Sequence, residues 1–207
     1  MTDLEPELVL QPQFLTSYEA DDLFLLLRAT TQWNQQMASR FTASFGVPYV
    51  YSGISYETLA MPDRVNDVAK KLAHKLGFLP NNCLLNYYLT SNSKMGYHSD
   101  DTQQLAKGTG VAIVSLGQSR EMTFKHKTQP DITHRYMLTH GSLLYMDDKV
   151  QQDWLHAIPK LANSVTQEVS GQENDNQEGT LQRGGLQEDS MQKENSRISL
   201  TFRQLKG

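Results

Sequence analysis

The first region of the chain with a helical pattern begins at Thr16. Thr16 and Glu19 have the capping-box spacing that is typical of a helix N-terminus. The apolar residues Leu23, Phe24 and Leu27 then recur at helical spacing. This pattern predicts an amphipathic helix that packs on another part of the protein through one face.

A second helix is predicted after Pro62 and Asp63. Its apolar positions recur every three or four residues, which places them on one face: Val65, Val68, Ala69, Leu72, Ala73 and Leu76. Gly77 follows them and supplies a C-terminal stop, because glycine adopts the left-handed conformation at little cost. We expect this helix also to pack on another element.

From residue 84 onward the pattern changes to short β-type runs separated by turn residues. Seven such runs span 84–90, 111–117, 121–126, 135–138, 142–146, 154–158 and 197–203. Because no helical pattern lies between them, they predict an antiparallel sandwich or barrel. Helices followed by strands indicate an α+β fold, in which helices support one face of a β-core.

The stretch 163–196 differs in composition from the rest of the chain. It has no aromatic residue, few large apolar ones, and seven acidic against two basic residues. Such a segment buries too little apolar area to offset its ordering entropy, so we interpret it as a disordered, acidic, glutamine-rich insertion. A segment that binds a partner or gates a site is the alternative. The whole chain has a net charge of −4, but the other 173 residues are close to neutral.

Length and composition narrow the class of protein. A chain of 207 residues suits one domain. No apolar window approaches the roughly 20 residues of a membrane span, and residues 1–12 lack the basic start of a secretory signal. We therefore expect a soluble intracellular protein, in the cytoplasm or, in a eukaryote, the nucleus, with no membrane partner.

The single cysteine, Cys83, excludes an intrachain disulfide and a CxxC zinc site, so a metal would need His and carboxylate ligands.

His98 and Asp100 are the first candidates for metal ligands. In an extended segment, residues i and i+2 project to the same side, so one imidazole and one carboxylate can bind one ion. This pair alone is unspecific, and a third ligand is needed. The downstream candidates are His126, His134, His140 and His156.

His156 is the best third ligand, because it shares one face of an alternating run with Trp154 and Ile158. A histidine on such a face is more often a packed core residue, so that interpretation stays open. Two histidines and one aspartate that leave coordination positions open form the facial triad of non-haem Fe(II) oxygenases. A zinc ion with a bound water is the alternative.

The last strand-like run, 197–203, has an arginine at each end. Its alternation places Arg197, Ser199, Thr201 and Arg203 on one face. Arginines turned into a core are costly without anionic partners, so an internal face of this kind could hold a dicarboxylate. An exposed edge strand with solvated arginines explains the pattern equally well.

These motifs together resemble the AlkB family of Fe(II)- and 2-oxoglutarate-dependent nucleic-acid dealkylases. The matching order is Asn86-x-Tyr88, His98-x-Asp100, His156 and Arg197-x5-Arg203, with further similarity in 48–53, 114–127 and 140–146. The resemblance covers roughly 41–159 and the last ten residues. It implies one dioxygenase domain over 1–207, with helical support and a nucleotide-recognition lid in 1–80 and a double-stranded β-helix (jelly-roll) core in 81–207.

The resemblance implies that His98, Asp100 and His156 ligate Fe(II), with 2-oxoglutarate and O2 in the remaining positions. The reaction would then be oxidative demethylation of 1-methyladenine and 3-methylcytosine in DNA or RNA, as in DNA repair. Its products would be formaldehyde, succinate, CO2 and the restored base. The cofactors would perform the oxidation, and the protein would orient and protect them.

The same resemblance implies the contacts to 2-oxoglutarate. Asn86 and Tyr88 would hydrogen-bond it, Arg197 would bind its distal carboxylate, and Arg203 would lie at the end near iron. Ser199 occupies a position where relatives often have Asn, and its shorter side chain is expected to leave a gap for water.

Substrate contacts are expected from the lid and from one basic strand. A methylated base has to be extruded and stacked between rings, and Tyr51 lies where the family has its lid. Packing of this tyrosine on the core is the alternative. Arg120, Lys125 and Lys127, together with His126, would contact phosphates, unless they form only a solvated strand edge.

One departure from the family pattern concerns base selectivity. Many relatives have an acidic residue two positions after the metal-binding Asp, where this chain has Thr102, so Asp101 substitutes for it or the selectivity differs. The expected partner is methylated DNA or RNA, single-stranded, bound by a monomer. The alternatives are a 2-oxoglutarate-dependent hydroxylase or demethylase of a protein or small molecule, a catalytically silent nucleic-acid-binding module, and a zinc hydrolase.

Overall fold

Two antiparallel sheets are built from ten strands within residues 4–49, 56–161 and 195–206, which are the residues that the computed structural model describes. The larger sheet contains, from edge to edge, β1 (Leu8–Gln11), β8 (Leu143–Met146), β5 (Val111–Gly117), β10 (Arg197–Arg203), β3 (Asn82–Tyr88) and β2 (Phe41–Gly46). The smaller sheet contains β4 (Met95–His98), β9 (Trp154–Ile158), β6 (Arg120–His126) and β7 (Thr133–Leu138). The prediction of antiparallel sheets with supporting helices is thus confirmed.

The two predicted helices cover the outer face of the larger sheet. The helices of the described chain are α1 (Ser17–Thr30), α2 (Asp63–Leu76), the short α3 (Asp148–Asp153) and a 3-10 turn (Thr102–Gln104). Both α1 and α2 bury their apolar faces in one cluster with Ile198, Leu200 and Phe202 of β10. No helix in the described ranges is long and apolar enough to cross a membrane.

The ends of these helices follow the local sequence signals. At the start of α1, the Glu19 backbone N–H donates to Thr16 Oγ1 at 3.2 Å, and the Thr16 backbone N–H donates to Glu19 Oε2 at 2.8 Å. Gly77 ends α2 in the left-handed conformation, with φ of 80°. The capping box and the glycine stop are therefore both confirmed.

All seven β-type runs form strands, but three further strands were not predicted. These are β1, β2 and β4. The sequence of β2 is FTASFG and that of β4 is MGYH, so small residues and glycines interrupt their β-type pattern. The described residues within 1–80 consequently contribute two strands to the larger sheet in addition to their helices.

Strand β10 lies in the interior of the larger sheet, between β5 and β3. Arg197 and Arg203 are each only 1% exposed. The exposed edge-strand interpretation is therefore wrong, because paired strands on both sides and the smaller sheet in front exclude water. Most of the predicted insertion, 163–194, lies outside the described residues, but Ser196 at its end is buried and accepts the Gln118 backbone N–H at 2.8 Å.

Replacement of Gly46 by alanine is expected to destabilise the fold strongly. Gly46 has φ of 82°, and a Cβ there would lie 2.1 Å from the backbone oxygen of Asn81. Gly77 is the matched control, because its φ is 80° but a Cβ would meet nothing within 4 Å. We expect Gly77→Ala to lower the free energy of unfolding by about 1 kcal/mol and Gly46→Ala by about 3 kcal/mol in urea denaturation. Equal losses in both variants would contradict the steric explanation.

Candidate functional site

A polar cavity lies between the inner faces of the two sheets. Its walls combine apolar residues with polar ones from β3, β4, β9 and β10 and from the segment after β4. The polar lining residues are Asn86, Tyr88, His98, Asp100, His156, Arg197, Ser199, Thr201 and Arg203. The structure therefore places most of the residues singled out in the sequence around one enclosed space.

His98, Asp100 and His156 meet at one end of this cavity. His98 on β4 pairs directly with His156 on β9, and their ring centroids are 4.3 Å apart. The distance between His156 Nε2 and Asp100 Oδ2 is 3.7 Å. His98 Nδ1 lies 2.9 Å from the Gly96 carbonyl oxygen, a contact that fixes the orientation of the imidazole ring. Two strands and the segment after β4 thus bring the three side chains together.

The charges at this end follow from burial and from Arg203. Burial lowers the pKa of His156 to about 4, so its imidazole is neutral near pH 7. Burial alone would raise the pKa of Asp100, but the charge and the hydrogen bond of Arg203 more than offset this effect and lower the pKa. Asp100 is therefore an anion beside a neutral imidazole, and Arg203 Nη2 donates a hydrogen bond to Asp100 Oδ1.

These donors are the types that a divalent transition metal prefers. Imidazole nitrogens and a carboxylate on one side of a cavity match the facial arrangement of non-haem iron sites. In the described part of the chain, however, no three His, Cys, Asp or Glu side chains are spaced as a finished metal-binding group. Asp100 Oδ1 is instead engaged by Arg203. The residue types fit a metal, while the carboxylate also serves as the counter-ion of an arginine.

Arg197 lines the other end of the cavity, and a second buried arginine, Arg120, lies near it. Arg197 Nη2 donates to Ser115 Oγ at 2.9 Å, and its guanidinium lies 5.1 Å from the centroid of the Tyr88 ring. Arg120 lies 5.6 Å from the centroid of the same ring. Burial lowers the pKa of Arg197 to about 10, which still leaves it charged near pH 7. This end is suited to an anion, because Arg197 lines the cavity and its Nε and Nη1 have no hydrogen-bond partner among the described residues.

The prediction that Arg120 contacts phosphates is wrong. Arg120 is 1% exposed, and its Nη2 donates to the carbonyl oxygens of Ser93 and Pro159 at 2.7 and 2.5 Å. Its position at the first residue of β6 turns it into the protein, where a polynucleotide backbone cannot reach it. Arg120 instead adds a second positive charge near Arg197.

Arg40 orients Asn86 in the cavity wall. Arg40 Nε donates to Asn86 Oδ1 at 2.8 Å, and both side chains are buried. Because Nε can only donate, the contacting atom of Asn86 is its oxygen, and the amide nitrogen is left as a donor. Asn86 pairs with Ser199 of β10, so this donor belongs to the row of polar residues that crosses the inner face.

The remaining predicted substrate residues are spread over several places. Lys127 Nζ donates to the Gln151 carbonyl oxygen at 2.7 Å, whereas Lys125 lies over the Tyr97 ring on the outer face of the smaller sheet. Lys125, Lys127 and Arg120 therefore do not form one phosphate track. Tyr51 lies outside the described residues.

Asp101 and Thr102 start the 3-10 turn that follows Asp100. Asp101 Oδ1 accepts the Gln103 backbone N–H at 2.9 Å, and its Oδ2 accepts from Gln104 Nε2 at 2.8 Å. Both carboxylate oxygens of Asp101 thus hold the turn. Thr102 is partly exposed at the start of that turn.

The other histidines weighed as metal ligands lie elsewhere. His126 and His134 contact the edges of the Trp154 ring, with centroid distances of 5.0 and 5.4 Å. His140 Nε2 lies 3.0 Å from Asp21 Oδ1, near α1. Among these candidates, the structure brings only His156 to His98 and Asp100.

Sequence reasoning missed three residues that hold the site. These are Arg40, Ser115 and Gln151, whose Oε1 accepts the Asp100 backbone N–H at 2.9 Å. Ser115 could have been noticed as a polar residue inside the apolar run VAIVSLG. Arg40 and Gln151 lie in segments with no distinctive pattern, so only the tertiary structure reveals their contacts.

The chain is similar in sequence to proteins of known family. The model of the family described as the 2OG-Fe(II) oxygenase superfamily matches residues 7–203. The chain is 29% identical over 180 residues to alpha-ketoglutarate-dependent dioxygenase alkB homolog 3 of Rattus norvegicus, covering 78% of this chain and 61% of the relative. It is 31% identical over 121 residues to DNA oxidative demethylase ALKBH2 of Mus musculus, covering 55% and 51%. The chain thus spans about three fifths of the length of the alkB homolog 3 protein.

The fold is also similar to that of a solved structure, "The structure of OsALKBH1". The TM-score is 0.61 at 19% identity, with 97% of this chain and 99% of that chain covered. At this identity the likeness concerns the fold. Together with the relatives, it confirms the resemblance to the AlkB family that the motifs indicated.

Substitutions at Asp100 and Arg203 are expected to have strongly non-additive effects on stability. Arg203→Met leaves a buried carboxylate without its ion partner, which should cost about 3 kcal/mol of unfolding free energy. In the double variant, Arg203→Met with Asp100→Asn, the loss of unfolding free energy should be smaller than the sum of the two single losses. The difference should be at least about 1 kcal/mol. Urea denaturation of the four proteins in the cycle measures this coupling.

The exposed pair Lys70 and Asp67, at 3.3 Å, provides the control cycle. Its coupling in Lys70→Met and Asp67→Asn variants should stay below about 0.5 kcal/mol, because water screens the two charges. Additive effects at Asp100 and Arg203 would show that their contact contributes nothing to stability.

Proposed function

Because the chain belongs to the 2OG-Fe(II) oxygenase superfamily, we propose that its cavity binds Fe(II) through His98, Asp100 and His156 and that the protein oxidatively demethylates nucleic-acid bases. Fe(II), 2-oxoglutarate and O2 are the cofactor set of this superfamily. The two facing antiparallel sheets support a double-stranded β-helix as the finer architecture. All residues of the proposed site come from one chain, which is compatible with a monomer.

The observation that supports this proposal best is the chemical difference between the two ends of the cavity. Two imidazoles and a carboxylate lie at one end, and the Arg197 guanidinium lies at the other, with Arg120 close to the same Tyr88 ring. A zinc hydrolase would need the first end but has no use for the second. A co-substrate with a metal-binding end and a distal carboxylate, such as 2-oxoglutarate, needs both.

The protein residues around 2-oxoglutarate would bind and orient it. Arg197 would pair with the distal carboxylate, close to Tyr88, and Arg203 would lie at the metal end beside Asp100. Asn86 would donate through the amide nitrogen that Arg40 leaves available. Ser199, 3% exposed on the same wall, contributes a small hydroxyl and leaves space beside it.

When bound, iron with 2-oxoglutarate and O2 would supply the oxidation of an N-methyl group. The protein's part is to hold the co-substrate in one orientation and to exclude water from the cavity. His156 is suited to metal binding, because burial keeps its imidazole neutral and neutral histidine is the form that ligates metals.

The proposed substrates are 1-methyladenine and 3-methylcytosine in single-stranded DNA or RNA, with DNA repair as the role. The names of the relatives support a nucleic-acid base as the substrate class. Asp101 has both carboxylate oxygens engaged in its own turn, and Thr102 has no charge. These two residues favour looser base selectivity, or a protein or small-molecule substrate as the second candidate.

Formaldehyde release tests the proposed reaction directly. Protein reconstituted with Fe(II) and 2-oxoglutarate should release formaldehyde and succinate with a short single-stranded oligonucleotide that carries one 1-methyladenine. The unmethylated oligonucleotide should give at most background release. His98→Ala and Asp100→Ala should lower turnover by at least about a hundredfold, because each removes a proposed ligand.

Circular dichroism of these variants distinguishes lost chemistry from lost folding. Equal succinate formation with both oligonucleotides would mean a functioning oxygenase with a different substrate. Unchanged turnover in both alanine variants would overturn the proposed metal site.

Arg40→Met tests the orientation of Asn86. Without Arg40, the Asn86 amide can turn its oxygen toward the co-substrate, so we expect the Kd of 2-oxoglutarate to rise about tenfold. Isothermal titration with Mn(II) in place of iron measures binding without turnover. Arg28→Met, on α1, is the control and should leave the Kd unchanged. The same Kd in Arg40→Met would show that Arg40 has no influence on co-substrate binding.

A further inference from the structure

A groove crosses the outer face of the smaller sheet, on the side away from the cavity. Thr123 of β6 pairs with Ala157 of β9 on one side and with Arg135 of β7 on the other. The short side chains of Thr123 and Ala157 are buried and form a low floor. Tyr97 and Met137, 48% and 52% exposed, rise on either side of it. The groove encloses about 640 Å³.

The groove is basic, although the chain as a whole has a net charge of −4. Lys94, Arg135 and Lys160 line it, and Lys125 Nζ lies 5.7 Å from the centroid of the Tyr97 ring. Glu121 is the acidic residue of the lining, 3.6 Å from Arg135. Four cations against one carboxylate around a half-exposed aromatic ring therefore give this face a local excess of positive charge.

These features match the chemistry of a single polynucleotide strand. Proteins that bind such strands combine cations along the phosphate backbone with aromatic rings on which unpaired bases stack. Three strand spacings of about 4.8 Å separate β4 from β7, so the groove is roughly 14 Å wide. A double helix would offer no free base face to Tyr97, because its bases stack on each other.

The groove is also connected to the proposed active site through β4. This strand forms one edge of the smaller sheet, with His98 lining the cavity and the neighbouring Tyr97 lining the groove. A polynucleotide that passes around this edge would reach Tyr97 directly after leaving the cavity.

We propose that this groove binds the single-stranded segment that flanks the target base. Tyr97 stacks one unpaired base, and Lys94, Lys125, Arg135 and Lys160 neutralise neighbouring phosphates. The proposal rests on nucleic acid being the substrate class. It replaces the linear track along β6 with a track that runs across β4, β9, β6 and β7.

Charge reversal in the groove tests this proposal. Lys94→Glu with Lys160→Glu should weaken binding of an unmethylated single-stranded oligonucleotide of about 15 nucleotides at least tenfold, measured by fluorescence anisotropy of the full-length protein. It should also reduce the slope of log Kd against log salt by about 1.4, because two phosphate contacts are lost.

Lys70→Glu with Lys75→Glu is the matched control. Both lysines are exposed on α2, against the larger sheet, and this pair changes the net charge by the same amount. The control should change the Kd less than about twofold. An equal rise of the Kd in the two double variants would overturn the proposed binding groove, because the affinity would then depend only on the net charge of the protein.

Substitutions of Tyr97 distinguish the contribution of base stacking to binding from that of charge. Tyr97→Leu should weaken binding by about tenfold without changing the salt slope, and Tyr97→Phe should retain the affinity of the original protein. The same weakening in Tyr97→Phe would contradict a stacking role.

A methylated trinucleotide distinguishes this proposal from the proposed function. It is too short to fill the groove, so its demethylation should be equal in the groove variant and the control. If the trinucleotide and a longer methylated strand both fail as substrates while the groove still binds single strands, the proposed function fails alone. If demethylation occurs but the groove variants bind like the control, the groove proposal fails alone.

Discussion

The buried ion pair between Asp100 and Arg203 is the interaction on which the site depends. Arg203 ends the central strand of the larger sheet, and Asp100 follows the edge strand of the smaller sheet, so their contact joins the two sheets across the cavity. Two charges so fully removed from water are tolerable only because they touch. Gln151 holds the Asp100 backbone, and the Arg203 guanidinium lies 4.3 Å from the centroid of the Tyr49 ring. The segment that carries His98 is thereby placed opposite His156.

The other buried arginines of the site also need partners that compensate their charge. Arg203 has a carboxylate partner, whereas Arg197 has a serine hydroxyl and Arg120 has backbone carbonyl oxygens. The distal end therefore contains buried positive charge compensated mainly by dipoles, and an anionic ligand would complete it. Burial lowers the pKa of both arginines, and the neighbouring polar atoms and the Tyr88 ring offset part of this effect. Binding of an anionic ligand and stability of the cavity without that ligand thus make opposing demands on the same groups.

Strand alternation lets single strands serve two surfaces at once. In β10, Ile198, Leu200 and Phe202 pack against the helices, while the two arginines face the cavity. In β4, His98 faces the cavity and Tyr97 faces the basic groove. A slip of one residue in either pairing would exchange these faces. The register is therefore a functional constraint as much as a structural one, and it ties the hydrophobic core, the cavity and the groove to the same hydrogen-bond ladders.

Much of this protein is determined by its sequence alone. The capping box, the α2 stop, the seven β-type runs and the two faces of β10 were readable, because each depends on local backbone geometry and on a period of two or 3.6 residues. The motif order also identified the residues that line the cavity. The tertiary structure decided the rest: that β10 is central, that Arg120 is buried rather than on a phosphate track, and that Arg40 and Gln151 hold Asn86 and Asp100. Those facts depend on contacts between distant segments, and a period along the chain contains no information about which strand becomes its neighbour.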